Sequence, residues 1–163
     1  MTEEERQKLE FIKKEIKEGD YSILQPNQWD KFSADLAGIG ANLLKEIEVR
    51  REDARALKVP LFFFKVRERL TNLEVDYDVV AKDYDLFFDA SMRFLKSIIN
   101  RNEYKEYQIL RKEYLKSLTE HCIKALEYVG NIVTTGRHDY YHYQILFVAA
   151  LAILVAIISV IIK

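Results

Sequence analysis

From Ile145 to Ile162 the chain reads ILFVAALAILVAIISVII, a run with no charge, no glycine and no proline. Eighteen residues in a row whose only polar member is Ser159 are a transmembrane candidate, and a helix buried in a soluble core would rarely lack further polar residues on every face. At about 1.5 Å per residue the run spans roughly 27 Å, close to the thickness of a hydrocarbon core. The sequence therefore predicts a single-pass membrane protein with its transmembrane anchor at 145–163.

Residues suited to a membrane interface flank this run on both sides. Tyr140, Tyr141 and Tyr143 precede it, and Lys163 follows it. Tyrosines concentrate at the headgroup level of membranes, and a lysine at a helix end can extend its ammonium group to the interface. We therefore expect these four residues to mark the bilayer surfaces, with a juxtamembrane aromatic segment at 137–144.

The charges around the run bear on its orientation. Lys124 and Arg137 lie on its N-terminal side, whereas Lys163 alone lies on the other. This weak positive-inside bias places the N-terminal part of the chain in the cytoplasm. The acidic start, Met1 to Arg6, lacks the apolar core of a signal peptide. The expectation is a tail-anchored protein with a cytoplasmic domain at 1–136.

Small residues recur inside the run, at Ala149, Ala152, Ala156 and Ser159. Their spacings of three and four place them on one helix face, and small faces let membrane helices pack closely. This face is a candidate for homo-oligomerisation in the membrane. The alternative is that alanine is simply common in membrane helices.

The composition of the chain favours long helices in a well-packed domain. Its 163 residues include only 5 glycines and 2 prolines, and 49% are hydrophobic. Lys and Arg total 25 against 26 Asp and Glu, so no excess of positive charge points to nucleic acid. The single cysteine, Cys122, cannot form an internal disulfide and is expected to be a small buried residue.

Apolar residues recur with helical period over 2–18, 27–58, 60–99 and 101–134. We predict an all-α fold: an antiparallel bundle of three long helices with the shorter N-terminal helix, followed by the transmembrane helix. Asn72 or Asp76 is a candidate interruption of the third stretch. Gly130 and Gly136 are candidates for a hinge before the membrane.

The last stretch carries a coiled-coil-like seam. Its positions alternate by three and four, and we expect them to pack on the helix that contains Leu36, Leu43 and Ile47. The seam comprises Leu115, Leu118, Cys122, Ala125, Val129 and Ile132, and the residues expected to widen it are Leu110, Tyr114, Leu126 and Val133.

Two clusters of polar residues are candidate metal sites. His138 and His142 are four residues apart, which puts two imidazoles on one helix face, but no third ligand is evident. The acidic cluster Asp76, Asp78, Asp83, Asp85 and Asp89 lacks the glycine and closing glutamate of a calcium loop, so a solvated helix face is expected. No catalytic motif is recognisable, and neither a cofactor nor an enzymatic activity is expected.

One local resemblance concerns the helix before the anchor. Tyr104, Gln108 and Arg111, followed by the seam from Leu115 to Ile132, resemble the polar layers and heptads of a membrane-fusion SNARE. The resemblance covers about a fifth of the chain. The seam is short, its polar residues lie at the far end, and glycines separate it from the anchor.

These observations lead to a functional expectation. A non-enzymatic helical domain is held at a membrane, where it binds a protein partner or serves as an accessory subunit of a membrane complex. The alternative is a membrane-remodelling, fusion or pore-forming protein that oligomerises through its transmembrane helix, with the amphipathic helix 2–18 inserting into the bilayer. An enzyme using His138 and His142 ranks third.

Overall fold

The computed structural model describes residues 1–17, 24–57, 63–97 and 105–161, which form four α-helices. α1 is Glu3–Glu15, α2 is Pro26–Ala56, α3 is Phe63–Lys96 and α4 is Glu106–Ile161. No residue of these ranges is in a strand. The all-helical fold class and the long apolar C-terminal helix are thus confirmed. The expectations for residues 18–23, 58–62, 98–104 and 162–163, among them Lys163 and Tyr104, lie outside the described residues.

Local signals explain where the first two helices begin. The Thr2 hydroxyl accepts a hydrogen bond from the Glu5 backbone amide, and the Glu5 carboxylate accepts one from the Thr2 amide, which is a complete capping box. At α2, Pro26 occupies the first turn, where its missing amide proton costs nothing. Both helices bury the apolar stripes that the sequence predicts, including Leu9 and Ile12 of α1 and Leu36 and Leu43 of α2.

α3 and α4 are each a single uninterrupted helix, which corrects two expectations. α3 passes through Asn72 and Asp76 without a break. α4 continues through Gly130 and Gly136 for 56 residues, about 84 Å, so the predicted hinge is wrong. These glycines instead admit α3: a Cβ at Gly130 would stand 2.8 Å from the Tyr77 hydroxyl oxygen, and one at Gly136 would stand 3.2 Å from Leu70 Cδ1.

The order of the contacts along each pair of helices shows whether the two helices are parallel or antiparallel. Between α2 and α4, contacts advance in the same direction along both helices, from Asp30 beside Tyr107 to Ala54 beside Val133. Between α3 and α4 the order is reversed, with Tyr77 at Gly130 and Leu70 at Gly136. α1 packs mainly on α3 and adds its apolar stripe to the same core.

The main core lies between α1, α2, α3 and the first half of α4. Leu115, Leu118 and Cys122 join one buried cluster with Leu36, Leu43 and Ile47, as the seam predicts. Leu126 and Val133 are buried too, and Ile132 is half-buried. Leu110 and Tyr114, expected to widen the core, are instead 64% and 50% exposed, because no described helix lies over that side of α4.

Gly40 marks the closest approach within this core. A Cβ built on it would stand 2.6 Å from both Leu118 Cδ2 and Phe87 Cζ, whereas one on Gly38 would meet nothing within 4 Å. Both neighbours of Gly40 are themselves buried, so neither can move aside freely.

These two glycines provide a matched test of the packing. Overpacking a core typically costs about 1–3 kcal/mol. Alanine gains roughly 1 kcal/mol over glycine in a helix interior. We therefore expect Gly38→Ala to raise the free energy of unfolding and Gly40→Ala to lower it, measured by thermal and urea unfolding followed by circular dichroism. Equal stabilisation by both substitutions would show that the core at Gly40 is looser than described.

Candidate functional site: the apolar half of α4

The C-terminal part of α4 lies outside the buried clusters formed by the described residues. The core ends at Val133 and Gly136, and every residue from Tyr141 to Ser159 is exposed. Within the described residues, α4 is the one helix long and apolar enough to cross a membrane, and none of its most apolar window is buried inside the protein. A core helix of a soluble domain would pass the same composition test while being mostly buried, so burial separates the two cases here.

Leaving this surface in water would be costly. Ten large apolar side chains between Ile145 and Ile158 are exposed. At about 1.5–3 kcal/mol for each such side chain, burying them is worth on the order of 15–30 kcal/mol. That exceeds the stability of a typical folded domain, roughly 5–15 kcal/mol. A surface of this kind marks a membrane or protein contact.

The tyrosines before the apolar run form a short aromatic collar on the helix. Tyr140 is half-buried, while Tyr141 and Tyr143 are exposed. The rings of Tyr140 and Tyr141 meet edge to face with centroids 6.0 Å apart. Gln144 donates a hydrogen bond from Nε2 to the Tyr140 hydroxyl at 2.7 Å. The collar therefore has polar groups directly before the run turns fully apolar, as an interfacial position requires.

The small-residue face also lies on this exposed half. Ala149, Ala152, Ala156 and Ser159 are all exposed. The Ser159 hydroxyl donates to the Val155 carbonyl at 2.8 Å, so its hydrogen bond is satisfied within its own helix. The face is available to another helix, and oligomerisation through it stays a prediction.

The histidine pair sits at the surface next to the collar. The His138 side chain is 83% exposed, and its Nδ1 lies 3.9 Å from Asp139 Oδ1. His142 is exposed as well. Among the residues that the structure describes, no group of three or more His, Cys, Asp or Glu side chains is arranged to hold a metal ion. The structure therefore adds no third ligand to this pair.

One member of the acidic cluster of α3, Asp83, departs from the solvated face that the sequence predicts. Asp83 is only 3% exposed, and its carboxylate accepts two hydrogen bonds from Arg6, at 2.8 and 3.1 Å. The Met1 ammonium nitrogen lies 3.2 Å from the same carboxylate. Asp89 likewise pairs with Lys13 of α1, and Asp76 with Arg50 of α2. Three of the five carboxylates thus fasten α3 to its neighbours, and only Asp78 and Asp85 are fully exposed.

The environment of Asp83 shifts its acidity. Burial disfavours the carboxylate and by itself would raise the pKa of Asp83, but the hydrogen bonds from Arg6 and the Met1 ammonium outweigh it and hold that pKa below its ordinary value. Since the folded pKa lies below the unfolded one, the ionised Asp83 stabilises the fold above the unfolded pKa of about 3.9. This stabilisation is lost as the pH falls through the folded pKa.

We expect Asp83→Asn to lower the free energy of unfolding at neutral pH by about 1–3 kcal/mol, since hydrogen bonds to a charged group are lost. The deficit relative to the unsubstituted protein should shrink as the pH falls below about 4, the ordinary pKa of an unfolded aspartate, and disappear once the pH is below the lowered pKa of folded Asp83. Denaturant unfolding as a function of pH measures both effects. Asp85→Asn, an exposed change on the same helix, should be nearly silent at every pH. A deficit that persists unchanged at acid pH would contradict the ionic role of Asp83.

A second surface was missed by the sequence reasoning. Tyr107, Leu110 and Tyr114 form an exposed stripe, called here the open stripe, on the part of α4 far from the apolar run. The Tyr107 hydroxyl donates to the Asp30 carboxylate, and Arg111 beside it donates to Ser33 Oγ and to the Asp30 carbonyl. These polar side chains dock α4 on α2, which leaves Leu110 and Tyr114 facing outward.

A groove lies between α3 and α4, close to the apolar run. It has a volume of about 560 Å³. The charged side chains among its described lining are Glu74, Asp78, Glu127 and Arg137, and Arg137 is paired with Glu74 at 3.0 Å. Its described lining holds neither a histidine nor a cysteine.

In comparisons with protein-family models, with curated proteins and with solved structures, no match to this chain is found. Its function is therefore argued from the geometry of the chain itself.

Proposed function

We propose that α4 crosses a membrane through its apolar half and holds a non-enzymatic helical domain at the cytoplasmic surface, where the domain binds a protein partner or serves as an accessory subunit of a membrane complex. The observation that carries this proposal is that every residue of the apolar run from Ile145 to Ser159 is exposed. A bilayer buries such a surface on all sides, whereas a protein partner would have to surround the helix. The weak excess of positive charge before the run supports the cytoplasmic side. The tail-anchored topology stays a prediction.

The alternative, membrane remodelling or pore formation, required α1 to insert into the bilayer. Leu9, Ile12 and Ile16, which form the apolar stripe of α1, are at most 1% exposed and belong to the main core. α1 would have to leave that core before it could meet a membrane. The packing of α1 therefore favours the tethered-domain proposal.

Membrane insertion is tested by charging the apolar run. Leu151→Arg combined with Val155→Arg puts two charges near the middle of the run, and each costs about 2.5–3.5 kcal/mol on the insertion scale. We expect the unsubstituted chain and a conservative control, Leu151→Ile with Val155→Leu, to remain in the membrane pellet after carbonate extraction. The double-arginine variant, and a chain truncated after Tyr143, should appear in the soluble fraction. The truncated chain should stay helical because the described core ends at Gly136. Release of the unsubstituted chain by carbonate would refute the proposal.

The open stripe is the surface through which we propose that the domain binds its partner. It is separate from the core seam, so changes in the two should have different effects. Leu118→Ala removes buried volume and should cost about 2–5 kcal/mol of stability. Leu110→Glu alters an exposed residue and should change stability by less than about 0.5 kcal/mol.

We expect Leu110→Glu to abolish co-purification of the partner after crosslinking in native membranes, with an unchanged melting temperature. The control is Lys116→Glu, an exposed change on another side of α4, which should retain the partner. If Leu110→Glu retains the same crosslinked proteins as the unsubstituted chain, the open stripe is not the binding surface.

A further inference from the structure

The start of α3 lies beside the stretch of α4 that approaches the apolar run. Leu70 packs at Gly136, and Glu74 Oε1 lies 3.0 Å from Arg137 Nη1. α3 and α4 are antiparallel here. The residues that precede Leu70 on α3 therefore lie beside the residues that follow Gly136 on α4. The two helices therefore approach the apolar run together.

The rise per residue of a helix gives the position of each α3 residue along α4, relative to the start of the apolar run. At about 1.5 Å per residue, Arg67 lies about 4–5 Å beyond Leu70, level with Asp139 and Tyr140 of α4. Phe63 lies about 10 Å beyond Leu70, level with Tyr143. The apolar run begins two residues later, about 3 Å farther on. A crossing angle near 20° changes these depths by less than about a tenth.

These depths coincide with the headgroup layer of a bilayer. A bilayer of about 40–45 Å with a hydrocarbon core of about 30 Å leaves roughly 5–8 Å of headgroup on each side. If the hydrocarbon begins at Ile145, the backbone of Phe63 and Phe64 lies inside that layer. Arg67 lies about 8–9 Å from the hydrocarbon, at the outer edge of the layer, where an extended arginine side chain reaches a phosphate.

The chemistry of this end of α3 matches such a position. Two consecutive phenylalanines open the helix, and its first turn contains no acidic residue. Arg67 and Arg69 follow; both are exposed, and neither forms an ion pair with any described residue. Glu68 lies between them, which leaves an excess of one positive charge over the three residues. Arginine pairs well with phosphate because its planar guanidinium offers several donors.

We propose that the N-terminal end of α3 is a second membrane contact, in which the backbone at Phe63 and Phe64 lies at the depth of the headgroup layer and Arg67 and Arg69 bind the phosphates of anionic lipids. The proposal rests on the membrane insertion of α4 proposed above, since α4 sets the depth of α3. The bilayer is the occupant because this end of α3 lies level with the collar of Tyr140, Tyr141 and Tyr143, directly before the exposed apolar run. Two contacts on different helices would fix the rotation of the domain about the axis of α4, which one helix alone cannot do.

The depth of α3 is measured with a tryptophan probe in the full chain. Phe64→Trp is reconstituted in phosphatidylcholine vesicles that contain lipids brominated near the headgroup, which quench nearby tryptophan. The native Trp29 can be kept, because it is buried against Phe94 and lies roughly 50 Å from the apolar run, judged from Asp30 beside Arg111. The unsubstituted chain should therefore show almost no quenching.

We expect the added emission of Phe64→Trp to fall at least twofold with brominated lipid. Phe147→Trp, inside the apolar run, reports insertion of α4 itself, and Ile109→Trp, at the far end of α4, should not be quenched. Quenching of Phe147→Trp without Phe64→Trp would overturn the second contact and leave the membrane insertion of α4 intact. Quenching of neither would overturn both proposals.

The arginines are tested by charge-matched double variants. In vesicles rich in phosphatidylserine, the unsubstituted chain should melt several degrees higher than in phosphatidylcholine alone. Arg67→Gln with Arg69→Gln should lose this gain. Lys116→Gln with Lys124→Gln removes the same charge from exposed sites about 30 Å or more from the apolar run, beyond the screening length, and should keep it. An equal gain in both double variants would overturn the phosphate contact.

Discussion

The unbroken backbone of α4 is the constraint on which the rest of the molecule depends. Each turn of its 56 residues hydrogen-bonds to the next, from the core of the domain to the apolar run. The first half buries one stripe and exposes the others, as a bundle helix does, whereas the second half is apolar on every side. The change occurs within a few residues around Gly136 and Tyr140. One helix therefore carries two kinds of surface, and the junction between them has a fixed position in the sequence.

The two glycines near this junction show how close packing replaces flexibility. Gly130 and Gly136 look like a hinge when the chain is read alone, because glycine weakens a helix. In the fold they let Tyr77 and Leu70 of α3 approach the α4 backbone. The supporting helix is thereby held close along the last turns before the apolar run. Motions of the domain and of the apolar half should consequently be coupled, since no flexible linker separates them.

The helical periodicity of the sequence predicted much of this fold. It failed for the features that depend on which helices pack side by side. Helices over the four predicted stretches, the burial of Cys122 and the pairing of Leu115 and Leu118 with the Leu36 helix followed from spacing, whereas the continuity of the last stretch with the apolar run did not. Periodicity gives the direction of an apolar face but not its width, because the width depends on which helices lie alongside. Leu110 and Tyr114 were therefore placed in the core although they are exposed.

The ion-pair partners of the acidic residues could not be predicted from the sequence either. Asp83 and Arg6 are separated by 77 residues, and nothing in the local pattern distinguishes Asp83 from the exposed Asp85. The apolar run, by contrast, was readable at once, because a segment without polar residues needs no neighbour to define its environment. For the same reason the candidate membrane segment came from the sequence, whereas the open stripe and the position of the start of α3 beside α4 required coordinates.

The small size of the open stripe fits a domain held at a membrane. Three residues on one helix are far fewer than the roughly 20–30 per side in a stable interface between freely diffusing proteins. Confinement to a surface changes this balance, because it makes the second binding event nearly intramolecular and raises the effective concentration. Fixing the rotation of the domain through a second membrane contact would add to the effect, since the open stripe would then face partners in the same membrane at a constant height. On this argument a weak contact far from the bilayer and an anchor within it are parts of one binding device.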